Sequence, residues 1–250
     1  MSENGVAVEG KIFLYEKPEL LTKEDHGHLG IVNLDNPYAN TKNAAAIPLT
    51  LTEFVTAQKY YPIVFSSMEN PTPLAVVAAL DDRNLFVDDN GAWDTLSYIP
   101  AYLRCYPFAF ARQGEDQVAV VIDRNAAQVG ENADFPFFEG DEASEHSKQM
   151  AQFCARYQGA RQQTDAFCKK LSELGLFAAQ HATYTPEGET EQKVMANYVA
   201  IDSEKLQELS TDILAELHKD GNLAAIYAQI ASAENWTSLL LRRKLKETQS

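Results

Sequence analysis

The chain has 250 residues, 45% of them apolar, and its 36 acidic against 21 basic side chains give a net charge of -15. That length can bury a sizeable core. An acidic balance has the wrong sign for sequence-independent nucleic-acid binding, which needs a basic footprint, and it disfavours anionic membrane surfaces; solubility is its plainest reading.

Met1 to Gly5 carries neither the basic nor the apolar segment of a signal peptide. No apolar run approaches the roughly 20 residues that span a bilayer. The expectation is a cytoplasmic protein that neither inserts in a membrane nor binds nucleic acid. Cys105, Cys154 and Cys168 are odd in number and form no C-x-x-C pair. In apolar surroundings they read as reduced core cysteines.

Along the chain, Lys11 to Tyr15 and His28 to Val32 read as strands, and Asn33 to Asn43, with Pro37, as a loop. Thr50-x-x-Glu53 has the form of a capping box, opening a helix from Leu51 to Gln58 with Leu51, Phe54 and Val55 inward. Tyr61 to Phe65 and Leu74 to Leu80 read as buried strands around a proline-containing turn. Asn90-Gly91, between Leu85-Phe86-Val87 and Ala92-Trp93, signals a hairpin with a type I′ turn. Gln117 to Asp123 (QVAVVID) is a further strand.

The period becomes helical past Gly140: Met150, Phe153, Cys154 and Tyr157 fall at i, i+3, i+4 and i+7, followed by Phe167, Leu171 and Leu174 and a stop at Gly175. Asp141, Glu142 and Glu145 would supply the negative first turn. Val194 to Ile201 can return a strand. Helices capped by Asp202 or Ser203 and by Ser210 come next, with Asp220-Gly221 ending the second; the last two run over Leu223 to Ala231 and Trp236 to Leu245. Arg242-Arg243-Lys244-x-Lys246 reads as a solvated final turn. The class expected is α+β: a mostly antiparallel sheet unit over residues 8–138, followed by a helical part over 139–250 packed on it, within one domain.

Several blocks give the chain a family likeness: Tyr61-Pro62-Ile63-Val64-Phe65, Asn84-Leu85-Phe86-Val87-Asp88, Asn90-Gly91-x-Trp93, Tyr98-Ile99-Pro100-Ala101 with Arg104 and Tyr106-Pro107-Phe108, and Leu217-x-x-x-Gly221-x-Leu223-x-x-x-Tyr227-Ala228-x-Ile230. With these in order over nearly its whole length, the chain resembles the SapC family. That resemblance implies a connection with bacterial surface-layer (S-layer) protein and its export. It also implies an association with tryptophan-halogenase-like flavoproteins and TonB-dependent receptors. It carries no reaction.

The residues themselves offer one constellation. Trp93, Tyr98, Tyr102 and Tyr106, with Arg104 among them, could wall a pocket for a peptide or a small carboxylate. Equally, the rings could be core and Arg104 the partner of Asp88 or Asp94. The acids and amides around Asp88 lack the ligand spacing of a calcium loop. His26-x-His28 could supply two metal nitrogens or be exposed loop histidines. Cys105 beside Arg104 reads as a packed thiol. Phosphate loops, dinucleotide fingerprints and nucleophile elbows are absent from the sequence. The reading is an accessory protein that binds a peptide or small-molecule ligand, or another protein, without cofactor or metal. The alternative is an enzyme, or its partner subunit, acting on an aromatic or modified amino acid. Oligomeric state is left open.

Overall fold

A computed structural model describes residues 11–81, 83–113 and 117–249. In chain order the first elements are Pro18–Leu20 (β1), Lys23–His26 (α1), Gly30–Ile31 (β2), Ala46–Pro48 (β3), Phe54–Ala57 (α2), Ile63–Phe65 (β4) and Pro73–Val76 (β5). Then come Ala101–Cys105 (α3), Phe108–Gln113 (β6), Gln117–Asp123 (β7), Val129–Gly130 (β8), Phe135–Pro136 (β9), Phe138–Glu139 (β10) and Glu142–Ala143 (β11). The remainder is Glu145–Glu173 (α4), Phe177–Tyr184 (β12), Lys193–Ile201 (β13), Ser203–Gln207 (α5), Thr211–Lys219 (α6), Asn222–Ala231 (α7) and Asn235–Gln249 (α8). Every strand pairing among the described residues is antiparallel. The class is α+β, with a helical C-terminal region.

The chain divides into two compact units. The first holds the described residues up to Thr41 together with Asp89–Ala92 and Tyr102–Gly159; the second holds Lys42–Asp88, Trp93–Ala101 and Ala160 onward. In the first, β7 runs between β1 and β6, and its Val121 and Ile122 are wholly buried. Leu29, Cys105, Phe108, Ile122, Phe137 and Cys154 form the core beneath it. The apolar run QVAVVID is therefore a strand over the expected residues. Lys11 to Tyr15 is not. Leu14 takes φ +66° and the Tyr15 N–H donates to the Ile12 carbonyl, a turn whose Tyr15 hydroxyl is fixed on the Phe108 carbonyl at 2.7 Å.

In the second unit the strand order is β12-β13-β4-β5-β3. β13 and β4 pair only at Val199 and Phe65, because a buried glutamine takes over beyond that point. Gln229 of α7 donates from Nε2 to the Ile63 carbonyl (2.8 Å) and accepts at Oε1 from the Ile201 N–H (3.1 Å). The Ile63 N–H donates to Ser232 Oγ (2.9 Å). An amide side chain with one donor arm and one acceptor thus replaces a stretch of ladder. Strand β12 has no clear signal in its own residues, FAAQHATY; a long register with β13, from Phe177 opposite Ile201 to Tyr184 opposite Lys193, defines it.

Local expectations fare unevenly. Asp202 and Ser210 cap α5 and α6 through their side chains, and Gly175 and Gly221 take positive φ at helix boundaries. Helix α4 starts only at Glu145. Gly140, at φ +61°, first turns the β10–β11 hairpin, which takes up Glu142, and Ser144 Oγ accepts from the Ser147 N–H at the helix entry. Val55 points outward, 54% exposed. The basic stretch of α8 is not solvated. Arg243 donates to the Ala79 carbonyl at 2.5 Å and pairs with Asp81 at 2.9 Å, and Lys246 donates to the Val87 carbonyl at 2.5 Å. Lys244 pairs with Glu187 at the surface.

Replacing Gln229 by alanine strands two buried backbone groups, each costing about 1–3 kcal/mol when unpaired. Urea unfolding should show a loss of about 3 kcal/mol; an unchanged midpoint contradicts the assignment.

Candidate functional site

The five residues grouped by the sequence fall in both units. Trp93 and Tyr98 belong to the second. Trp93 is 5% exposed, its ring stacked on Phe86 with centroids 6.1 Å apart, and it lies in hydrogen-bonding reach of the Tyr61 hydroxyl. Tyr61 in turn donates to the Tyr98 carbonyl. The Tyr98 hydroxyl donates to Glu53 Oε1 at 2.9 Å, and the same oxygen accepts from the Ala101 N–H at 2.7 Å. Glu53, itself 5% exposed, also accepts at Oε2 from the Thr50 N–H and hydroxyl, both at 2.8 Å. The expected Thr50–Glu53 capping box is thus in place, and the Thr50 hydroxyl also donates to the carboxylate. Val87 and Trp93 form an antiparallel bridge. Between them Gly91 has φ +97°, while Asn90 keeps an ordinary φ, so the turn is not type I′.

Tyr102, Arg104 and Tyr106 belong to the first unit and meet residues that the sequence did not group with them. Tyr102 donates to the Phe13 carbonyl, and its ring lies 6.1 Å from those of Phe13 and Tyr157. Tyr106 packs edge-on against Tyr15 at 5.1 Å and donates to Asp123 Oδ2 at 3.0 Å. Burial and the Asp123 charge hold the Tyr106 phenol protonated well above its ordinary range. Asp123 is wholly buried and also accepts from the Glu16, Lys17 and Asn125 N–H groups.

Arg104 is exposed, and its guanidinium lies 5.2 Å from the centroid of the Phe153 ring. Arg156, also exposed, places a second guanidinium 5.8 Å from that centroid. Such cation–π geometry is worth about 0.5–1 kcal/mol at an exposed site. Arg156 makes no ion pair among the described residues. Arg104 also acts on Tyr38, whose phenol is raised by burial and drawn back by the guanidinium charge. Phe153, Arg156 and Tyr157 sit at i, i+3 and i+4 of α4, so one helix face presents ring, cation and ring. Phe153 and Tyr157 were legible as an apolar stripe; Arg156 sits between them and gave no separate signal.

The other candidates have the following surroundings. His26 is buried, within 3.3 Å of Glu19 through Nε2 and beside Thr22 through Nδ1, while His28 is exposed. They lie at the end of α1 and past it, not along a strand. The three cysteines are buried and form no disulfide, and burial, then the Asp165 charge, pushes Cys168 up to about 12. Asp94, one of the acids open to Arg104, pairs with Arg242 at 2.7 Å.

These features define an α+β protein whose first unit presents an arginine–aromatic surface. The SapC family model matches residues 21–239, and the chain belongs to that family. No curated protein and no solved structure matches the chain. Among the described residues no helix is long and apolar enough to cross a membrane.

Arg242 also lies over the Phe86 ring, 4.2 Å from its centroid. Partial burial works against ionising Asp94, but hydrogen bonds from Ser97, the Leu96 N–H and Arg242 outweigh it and hold its carboxyl below the ordinary range. A depressed folded pKa adds stability that is present above the unfolded value, about 3.9, and lost as pH falls through the folded one. Asp94→Asn should therefore be less stable than the parent at pH 7 by about 1–2 kcal/mol, and the gap should close as pH drops below about 4. A gap independent of pH contradicts the linkage.

Proposed function

We propose that this SapC family member is a non-catalytic, cytoplasmic accessory protein that captures a carboxylate, either a peptide terminus or a small acid, in work connected with the bacterial cell surface. The observation that carries the reading is the pair of exposed guanidiniums, Arg104 and Arg156, on one phenylalanine ring in a chain of net charge -15. Both guanidiniums lie within 6 Å of the Phe153 ring centroid. Each guanidinium offers a planar fork that matches a carboxylate in two parallel hydrogen bonds. Phe13, 45% exposed, and Tyr102 give an apolar ledge beside them for a side chain of the same ligand. Tyr106 supports that ledge through Tyr15, whose ring is also 6.4 Å from Tyr102. Trp93 and Tyr98 take a supporting part within their own unit, where their polar handles already serve Tyr61 and Glu53. The surface-layer connection is what the family resemblance implies, and the client's identity is left to experiment.

Calorimetric titration with N-acetylphenylalanine and with its amide tests the reading. The acid should bind and the amide should not. Arg104→Ala and Arg156→Ala should each weaken the acid about tenfold or more, since a hydrogen bond to a charged group contributes about 1.5–3 kcal/mol. Both variants should melt close to the parent. Equal affinity for acid and amide, or variants that bind like the parent, would overturn it.

A further inference from the structure

The second unit carries a separate hollow. An open groove of about 640 Å³ runs beside α8, lined by Leu80, Tyr184, Pro186, Leu240, Arg243 and Lys244 among others. A narrower recess of about 250 Å³, walled by small side chains such as Ala45, Ala78, Ala79 and Ala196, shares Leu80 with it and has Trp236 in its lining. The larger volume lies in the range of small-molecule sites.

Two observations, one at the junction and one in the recess, point to an occupant. Leu80 has φ +67°, a left-handed conformation costly for a branched side chain, and it is 43% exposed. Glycine would hold the same turn without strain. Arg243 fixes the strained residue from both sides, through the Ala79 carbonyl and the Asp81 carboxylate. Such outliers persist where a site uses them. The second observation is the buried Trp236 Nε1–H, which finds no acceptor among the described residues, an uncommon state for a buried donor.

We infer that this hollow binds a small neutral acyl compound, with its carbonyl oxygen accepting from Trp236 and its slender apolar chain lying over Leu80 and Leu240. Neutrality follows from the rim. Arg243 is matched by Asp81 and Glu247, and Lys244 by Glu187, so two bases face three acids and no surplus cation waits for an anion. The small residues of the recess admit a chain more readily than a broad ring system. This inference uses no residue of the carboxylate surface and stands independently of it.

Octanamide and octanoate are suitable probes, titrated into the full chain while the indole N–H resonances of its two tryptophans are followed by 1H–15N NMR, with Trp236→Phe assigning the signals. Octanamide should shift the Trp236 indole in a saturable way, leave Trp93 in place, and bind at least tenfold more tightly than octanoate. Leu80→Gly should remain folded and bind octanamide about tenfold more weakly, whereas Arg104→Ala should bind it like the parent. No saturable Trp236 shift, equal binding of octanoate, or undiminished binding by Leu80→Gly would overturn the inference.

Discussion

The carboxylate of Glu53 organises the segment that gives this chain its character. Burying an acid is expensive unless its lone pairs are met. Here both oxygens are met, by Thr50 on one side and by Tyr98 and the Ala101 N–H on the other. That arrangement sets the start of α3 and fixes Tyr98. Asp123 has the same part in the first unit, gathering Tyr106 and three backbone N–H groups. Two buried acids therefore consume the polar ends of two tyrosines of the aromatic block. Of Trp93, Tyr98, Tyr102, Arg104 and Tyr106, Arg104 is the exposed one, and this leads to a surface of cations on a ring.

A second constraint acts from the C-terminus. Helix α8 extends three cationic side chains onto the segment between Ala79 and Ser97: Arg242 onto Asp94 and Ser97, Arg243 onto Ala79 and Asp81, and Lys246 onto Val87. That segment has little regular structure of its own, apart from the Val87–Trp93 bridge. Its carbonyls find donors on a helix rather than in a ladder. Gln229 does the equivalent for Ile63 and Ile201. The second unit thus relies on long polar side chains from its last helices to complete backbone pairing that its short strands leave open.

Much of this could be read from the sequence, and the rest has identifiable physical reasons for being hidden. The strand QVAVVID, the caps at Asp202 and Ser210 and the stop at Gly221 depend on local chemistry and lie where local chemistry puts them. Strand β12 was invisible because its alanines and polar residues carry weak propensity and its partner decides its state. The turn at Leu14 was hidden because it depends on Tyr15 reaching Phe108, far along the chain. Arg242, Arg243 and Lys246 looked solvated because a cationic helix end is the usual sight, and their acceptors lie well over a hundred residues earlier. At the site, Arg104 and Tyr102 were legible as chemistry, but Phe153 and Arg156, which give Arg104 its setting, arrive from another element.

The central claim is that Arg104 and Arg156 receive a carboxylate while Arg242 and Arg243 hold the fold. The most direct measurement follows the arginine side-chain 15Nε–1Hε resonances as free acetylated dipeptide acids are added. The account predicts that the Arg104 and Arg156 signals shift together and saturate, with Arg242 and Arg243 unmoved. Shifts confined to Arg242 and Arg243, or no shift at any arginine up to millimolar ligand, would contradict it.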